Sequence, residues 1–230
     1  NPAEAITDDR TESILRAVYR GLQDSKTCVR FFRMDVATNS NSFGIDDTRI
    51  AVGGQGSGGY ISLAYGTLDK LSEIQLQKFY NFTSNDYMVD TTVLGNWSGI
   101  GGNPALNSNN HAGYSDDVLM TFNIGGAIGD STWLEAGEVP IITMQGQADY
   151  FAPFQYGIVT VPGTTVFVID VSGSSDVSRM ANAFGNNNVF KTPAITDVYT
   201  TRANDFNTAN DATYGNAGDE GLFAFEGAAN

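Results

Sequence analysis

A short apolar segment that runs into a glycine-rich turn constrains the fold of this chain more than any other feature. Residues 50–52 have the character of a buried strand, and five of the seven residues at positions 53–59 are glycine. Glycine has no Cβ, so it allows the chain to turn tightly between two elements. The apolar residues that follow predict a helix over residues 60–68. The sequence therefore predicts a strand, a tight turn and a helix in immediate succession.

The remaining chain alternates predicted helices with short apolar strands. An apolar period of about four residues predicts a helix over residues 11–37, with Asp8 or Asp9 as its N-terminal cap. Three apolar runs and one more helical segment follow, at residues 118–124, 139–144 and 166–171 for the strands and 176–184 for the helix. Nearly continuous apolar strands between helices are typical of a parallel sheet with helices on both faces. We therefore expect an α/β protein whose four strands form one parallel sheet.

Two long stretches show no periodic pattern. Residues 69–117 consist largely of Asn, Gly, Ser and isolated aromatic residues, a composition that indicates an irregular lid or insertion. Residues 191–230 are rich in Asn, Thr and Ala, and we expect an irregular tail there. The predicted organisation is thus one domain over residues 1–190 with a C-terminal tail packed on it.

Composition excludes several classes of function. The net charge of −14 argues against binding nucleic acid, whose phosphates require clustered Lys and Arg. No run of about 18 apolar residues is present, so no segment is expected to span a membrane. The chain begins at Asn1, has few Lys and is rich in Asn, Gly, Ser and Thr. We expect a processed, secreted protein located outside the cell or at the cell surface.

No cofactor is predicted from the sequence. Gly54, Gly56 and Gly59 satisfy the spacing of a dinucleotide-binding turn, but no second strand ending in an acidic residue follows about 20 residues later. Acidic pairs such as Asp46-Asp47 supply oxygen ligands suited to calcium, without the spacing of an EF-hand. A structural calcium ion therefore remains open, and no other metal site is predicted.

Three segments together resemble a known family. Gly54-Gln55-Gly56-Ser57-Gly58-Gly59 resembles the Gly-Glu-Ser-Ala-Gly-Gly turn of esterases, and residues 43–50 are similar to the lead-in to that turn. Residues 139–154 resemble the strand and turn that carry the catalytic acid. In this order the motifs are similar to those of secreted carboxylesterase-like proteins of Bacteroidota, members of the α/β-hydrolase superfamily.

The resemblance assigns a nucleophile elbow but no complete catalytic triad. It places Gly54, Gln55, Gly56 and Gly58 in the elbow, with Gly56 where the family has its nucleophilic serine. Ser57 follows one position later, and the acid position falls on residue 149, an Asp. A Ser-His-Asp site also needs an imidazole, and the single histidine of the chain precedes the acid, at position 111. The candidate catalytic residues are therefore Ser57, Asp149 and His111.

Two functions remain open on the sequence. In one, the chain is a catalytically degenerate hydrolase that serves as a binding or self-assembling extracellular subunit. In the other, it is an active carboxylic-ester hydrolase that uses Ser57 or residues from a missing segment. The family has several strands before the elbow strand, and only a loop and one helix precede it here, so we expect a sheet that lacks its first strands. Another copy of the chain, or an N-terminal fragment of the same precursor, would then pair with the exposed edge, unless the N-terminal helix and the tail cover it.

Overall fold

A computed structural model describes residues 2–161, 163–192 and 196–227 of the chain. It shows a mixed α/β protein with a four-stranded parallel sheet, which confirms the predicted α/β class. The chain folds as two compact units that alternate along the sequence. Unit 1 comprises Asn1–Ala51 and Leu68–Leu119, and unit 2 comprises Val52–Thr67 and Met120–Asn230.

The helices and strands follow one another in an irregular order. They are α1 (Pro2–Thr38), β1 (Ala51–Gln55), α2 (Ser57–Thr67), α3 (Leu71–Ile74), β2 (Tyr80–Asn81), β3 (Asp86–Tyr87), α4 (Thr91–Leu94), β4 (Met120–Ile124), β5 (Ile141–Gly146), β6 (Tyr156–Thr160), β7 (Phe167–Ser172), α5 (Ser174–Ala183), α6 (Val198–Ala209), α7 (Asp211–Tyr214) and β8 (Leu222–Phe225). Short 3-10 turns occur at Gln77–Phe79, Ser131–Trp133 and Asn186–Lys191.

Polar side chains of α1 hold the second segment of unit 1 in place. The Tyr19 hydroxyl donates to a backbone carbonyl of that segment at 2.9 Å, and the Gln23 amide donates to two more at 2.8 Å each. The buried guanidinium of Arg30 pairs with the Asp116 carboxylate at 2.7 Å. The segment predicted as an irregular insertion contains only the short elements α3, β2, β3 and α4, so hydrogen bonds to α1 replace regular secondary structure.

The start of α1 differs from the prediction. The helix begins at Pro2, so Asp8 and Asp9 lie inside it and do not cap it. Proline is favoured in the first turn of a helix, and the Ala and Glu residues that follow have high helix propensity. These preferences extend the helix beyond the first apolar residue of the periodic pattern.

The parallel sheet forms the centre of unit 2. Its strand order is β1-β4-β5-β8, so that β1 lies at one edge. Thr121 of β4 pairs with Ile141 of β5, and Thr143 of β5 pairs with Leu222 of β8. Helix α2 packs against β4, α5 packs against β5 and β8, and α6 packs against β8.

The two faces of this sheet have an unusual distribution of polarity. The face that α2 and α5 cover carries the buried polar residues Thr121, Asn123, Thr143 and Gln145. The opposite face, called here the open face, carries apolar residues that remain accessible to solvent. They are Phe122 (38% exposed), Ile124 (36%), Met144 (41%) and Phe225 (50%). The open face is therefore apolar, whereas the helix-covered face combines polar side chains with the buried apolar residues Ile141, Leu222 and Ala224.

Two predictions about the sheet and the tail were wrong. The run at residues 166–171 forms β7, which pairs antiparallel with β6 in a separate two-stranded sheet. The fourth parallel strand is β8, inside the predicted irregular tail, which also contains α6 and α7. Asp197 caps α6 by accepting hydrogen bonds from two backbone N–H groups of its first turn, and pairing with β5 stabilises β8. Residues 193–195 and 228–230 of that tail lie outside the described residues.

Candidate functional site

A single residue, Gly56, joins β1 to α2. Its φ angle is +56°, in the left-handed region that favours glycine. Its N–H donates to the carbonyl oxygen of Ile124 at 2.8 Å, and its own carbonyl oxygen accepts from the N–H groups of Gly59 and Tyr60 at 2.9 and 3.2 Å. The predicted turn is therefore shorter than expected, because the glycines on either side of Gly56 belong to the strand and the helix.

Close packing around the turn explains its glycine content. A Cβ atom at Gly54 would lie 2.4 Å from the backbone of Gly58, and one at Gly59 would lie 2.3 Å from Asn123 Oδ1. A Cβ atom at Gly56, in contrast, would meet no atom within 4 Å. A side chain at Gly56 would thus project into open space from a sharp strand-to-helix turn. The turn presents no hydroxyl at that position.

Ser57 occupies the first position of α2. Its side chain is exposed, and its hydroxyl makes no hydrogen bond with any residue that the structure describes. A serine nucleophile is weak unless an adjacent base accepts its proton. Ser57 therefore lacks the partner that the active-enzyme hypothesis requires of it.

Asp149 follows β5 and holds a turn. One carboxylate oxygen accepts hydrogen bonds from the backbone N–H groups of Phe151 and Ala152 at 2.8 and 3.2 Å. The other accepts from the side-chain amide of Gln145 at 3.3 Å. Carboxylates in turns commonly accept backbone hydrogen bonds of this kind, and they do so here without an imidazole.

Tyr60, in the first turns of α2, places a neutral phenol near this carboxylate. The hydroxyl is buried and has no hydrogen-bond partner among the described residues. Burial, and secondarily the negative charge of Asp149, raises the pKa of Tyr60 to about 12. The phenol therefore stays protonated at neutral pH and is not a base for Ser57.

His111 belongs to unit 1. Its backbone has a φ angle of +57°, and its ring lies against that of Phe31 with the ring centroids 5.5 Å apart. Ser57 and Asp149 belong to unit 2, which contains no histidine because the chain has only this one. Within unit 2 the candidate residues therefore supply a hydroxyl and a carboxylate, without an imidazole to connect them.

A buried polar network beneath the turn was not predicted from the sequence. The Asn123 amide donates to Ser174 Oγ at 3.0 Å, and Asn123 Oδ1 accepts from the N–H of Gly126 at 2.8 Å. Gln145 accepts from the N–H of Ser174 at 3.2 Å and donates to the carbonyl of Ala152 at 2.9 Å. The signal was present as polar residues at alternate positions of β4 and β5. The network joins the ends of two strands to the start of α5, and it positions loops rather than reacting groups.

No three His, Cys, Asp or Glu side chains in the described ranges converge on a point where they would hold a metal ion. None of the described helices combines the length and the apolar character that are needed to cross a bilayer. The glycines of the dinucleotide-like pattern are those of the strand-to-helix turn.

Comparison with known proteins adds no family assignment. No family model, curated protein or solved structure matches the chain.

Proposed function

We propose that the protein is a catalytically inactive, carboxylesterase-like α/β-hydrolase that acts outside the cell as a binding or self-assembling subunit. The observation that carries this proposal is Gly56, which holds the nucleophile position of a sharply turned elbow with a left-handed backbone and no side chain. The acidic, Lys-poor composition supports the extracellular part of the proposal.

The surroundings of the elbow support loss of catalysis. Acyl transfer by a Ser-His-Asp site needs an activated hydroxyl, an imidazole that takes its proton and an acid that orients the imidazole. Ser57 is exposed without a partner among the described residues, and Asp149 is engaged with backbone N–H groups. These residues retain the frame of a hydrolase and lack its proton-transfer chain.

The position of β1 supports an assembly role. Strand β1 is one of the two edge strands of the parallel sheet, with β4 as its paired neighbour. An edge strand presents unpaired N–H and C=O groups that invite pairing with another chain. In the proposal, another copy of this chain or an N-terminal fragment of the same precursor pairs with β1.

Ester turnover tests the loss of catalysis. Hydrolysis of p-nitrophenyl acetate is followed for the wild type, for Ser57→Ala and for Ser108→Ala, a control at another exposed serine. We expect all three proteins to match the buffer rate. Turnover that disappears in Ser57→Ala and persists in Ser108→Ala would instead establish an active esterase.

Native mass spectrometry tests the assembly role. The purified protein is measured intact, and the mass of every chain in the sample is then determined after denaturation. We expect either multiples of this chain or a complex with a second fragment of its precursor. A monomer at micromolar concentration would contradict pairing at β1.

A further inference from the structure

The open face of the parallel sheet has the composition of a buried surface. Parallel sheets are normally covered on both faces, because the connections between their strands place helices there. Here α2 and α5 cover the face that carries Thr, Asn and Gln, and the face that carries Phe122, Ile124, Met144 and Phe225 stays accessible. The covered face also buries Ile141, Leu222 and Ala224, so both faces of the sheet carry apolar side chains. The open face therefore calls for an apolar covering layer.

A groove deepens the open face beside β8. It has a volume of about 470 Å³ and lies between α6 and the open face. Tyr199 and Phe206 of α6 form one wall, and Met144 and Phe225 form the floor. Pockets of about 300–1,000 Å³ with apolar walls are typical of binding sites. The groove thus provides a cleft into which apolar side chains of a ligand can insert.

The charges at the groove are available to a partner. Arg202 and Glu226 line it, and neither forms an ion pair within the described part of the chain. The chain as a whole carries a net charge of −14. The two groove charges are of opposite sign, so the preference for basic flanks on an apolar ligand comes from the net charge of the whole chain.

We propose that the open face binds an amphipathic α-helix of a partner polypeptide with basic flanks, a proposal that rests on the proposed binding role of the protein. The helix lays its apolar stripe across Phe122, Ile124 and Met144 and inserts side chains into the groove beside α6. This mode of recognition uses apolar residues spaced by three or four positions along the bound helix.

The size of the surface distinguishes a helix from a second copy. The four open-face side chains expose roughly 330 Å² together, if each aromatic or aliphatic side chain offers about 200 Å² in full. A stable interface between two proteins buries about 800 Å² on each partner. The open face is therefore too small for a dimer on its own. A helix of a few turns matches the available area.

A designed peptide tests the proposal on the full chain. The probe is a fluorescein-labelled 18-residue peptide of Leu and Lys, with the Leu residues spaced to form one helical stripe. The control peptide has the same composition in an order that destroys the stripe. Binding is measured by fluorescence anisotropy at about 150 mM salt, which screens nonspecific attraction to the acidic protein. We expect the striped peptide to bind about tenfold more tightly than the control peptide.

Neutral substitutions locate the binding surface. Met144→Gln removes apolar surface from the open face without changing charge, and Val189→Gln does the same at an exposed apolar residue elsewhere in unit 2. Met144→Gln should weaken binding of the striped peptide about tenfold, and Val189→Gln should leave it unchanged. Circular dichroism and a thermal melt verify that both variants fold. If Met144→Gln does not fold, Ile124→Gln is used in its place.

Each other outcome overturns the proposal. Equal binding of the two peptides would show attraction by charge alone, and unchanged binding to Met144→Gln would place the site elsewhere. A wild-type dimer in sedimentation velocity that Met144→Gln dissociates would show that a second copy covers the open face. The two proposals fail independently. Ester turnover would refute the inactive role, whereas the peptide titration alone tests the helix-binding surface.

Discussion

Replacement of Gly56 by alanine tests the left-handed geometry of the turn directly. The added Cβ meets no atom within 4 Å, so its cost arises from the backbone alone. A left-handed backbone destabilises the folded state by about 1–2 kcal/mol when the residue has a side chain. Replacing glycine also reduces the entropy of the unfolded chain, which stabilises the folded state by about 0.4–1 kcal/mol. Gly56→Ala should therefore lower the free energy of unfolding by about 0.5–1 kcal/mol.

Gly58→Ala is the matched control for this substitution. A Cβ at Gly58 also meets no atom within 4 Å, but Gly58 lies in α2 and does not have a positive φ angle. Gly58→Ala should raise the free energy of unfolding by about 0.5–1 kcal/mol, because alanine favours the helix. The two variants should thus differ by about 1.5 kcal/mol in the same host.

Urea unfolding followed by tryptophan fluorescence measures both variants, since Trp133 is buried in unit 2. Equal midpoints for the two variants, with equal slopes, would refute the left-handed turn and with it the assignment of an elbow. Gly56→Asn adds a second comparison, because asparagine tolerates the left-handed region better than alanine does. Its stability should lie between that of Gly56→Ala and that of the wild type.

Three further substitutions test other parts of the structure. Tyr60→Phe removes a buried hydroxyl without a described partner and should stabilise the protein by about 1 kcal/mol in urea unfolding. The raised pKa of Tyr60 also contributes stability that is present below about pH 10 and is lost as the pH rises towards 12, so the wild type should lose stability more steeply over that range than Tyr60→Phe. If the wild type and Tyr60→Phe lose stability equally over this pH range, the burial of the phenol would be contradicted. Thr143→Val removes a second buried hydroxyl without a described partner. Thermal unfolding should show that the free energy of unfolding rises by about 1 kcal/mol. A decrease would indicate that the hydroxyl makes a hydrogen bond in solution. Asp116→Ala leaves the buried guanidinium of Arg30 without its carboxylate. Urea unfolding should show that the free energy of unfolding falls by about 3 kcal/mol. A decrease below about 1 kcal/mol would show that water already solvates the ion pair.

Local patterns predicted much of the sheet and missed the elements whose stability comes from distant partners. Strands β4 and β5 and helix α5 lie within two or three residues of their predicted bounds, because their apolar runs are dense and of ordinary length. Strand β8 was missed, since four residues between glycine-rich segments carry little signal until β5 pairs with them. The run that forms β7 was recognised as a strand, but its antiparallel partner β6 is short and half-exposed, so its sheet was not.

In the candidate site, too, features formed by sequence neighbours were predictable, and features formed by distant residues were not. The glycine pattern predicted a tight turn, because close packing and a positive φ angle both require glycine. The nucleophile position of Gly56 came from the family resemblance and stays a prediction. The role of Asp149 as an acceptor of backbone hydrogen bonds was also predictable, since its partners lie two and three residues away. The network of Asn123, Gln145 and Ser174 was not, because it joins residues up to 51 positions apart.

The alternation of the two units along the chain sets the order in which the protein can fold during synthesis. Unit 1 cannot close until residue 119 has left the ribosome, because its two segments flank the strand, turn and helix of unit 2. Strand β1 and helix α2, made early, must wait for β4, and β5 must wait for β8. Strand β1 thus has no paired strand, and β5 has only β4, while dozens of residues are added. Such intervals expose strands to aggregation, so the nascent chain should depend on chaperones more than its size alone would indicate.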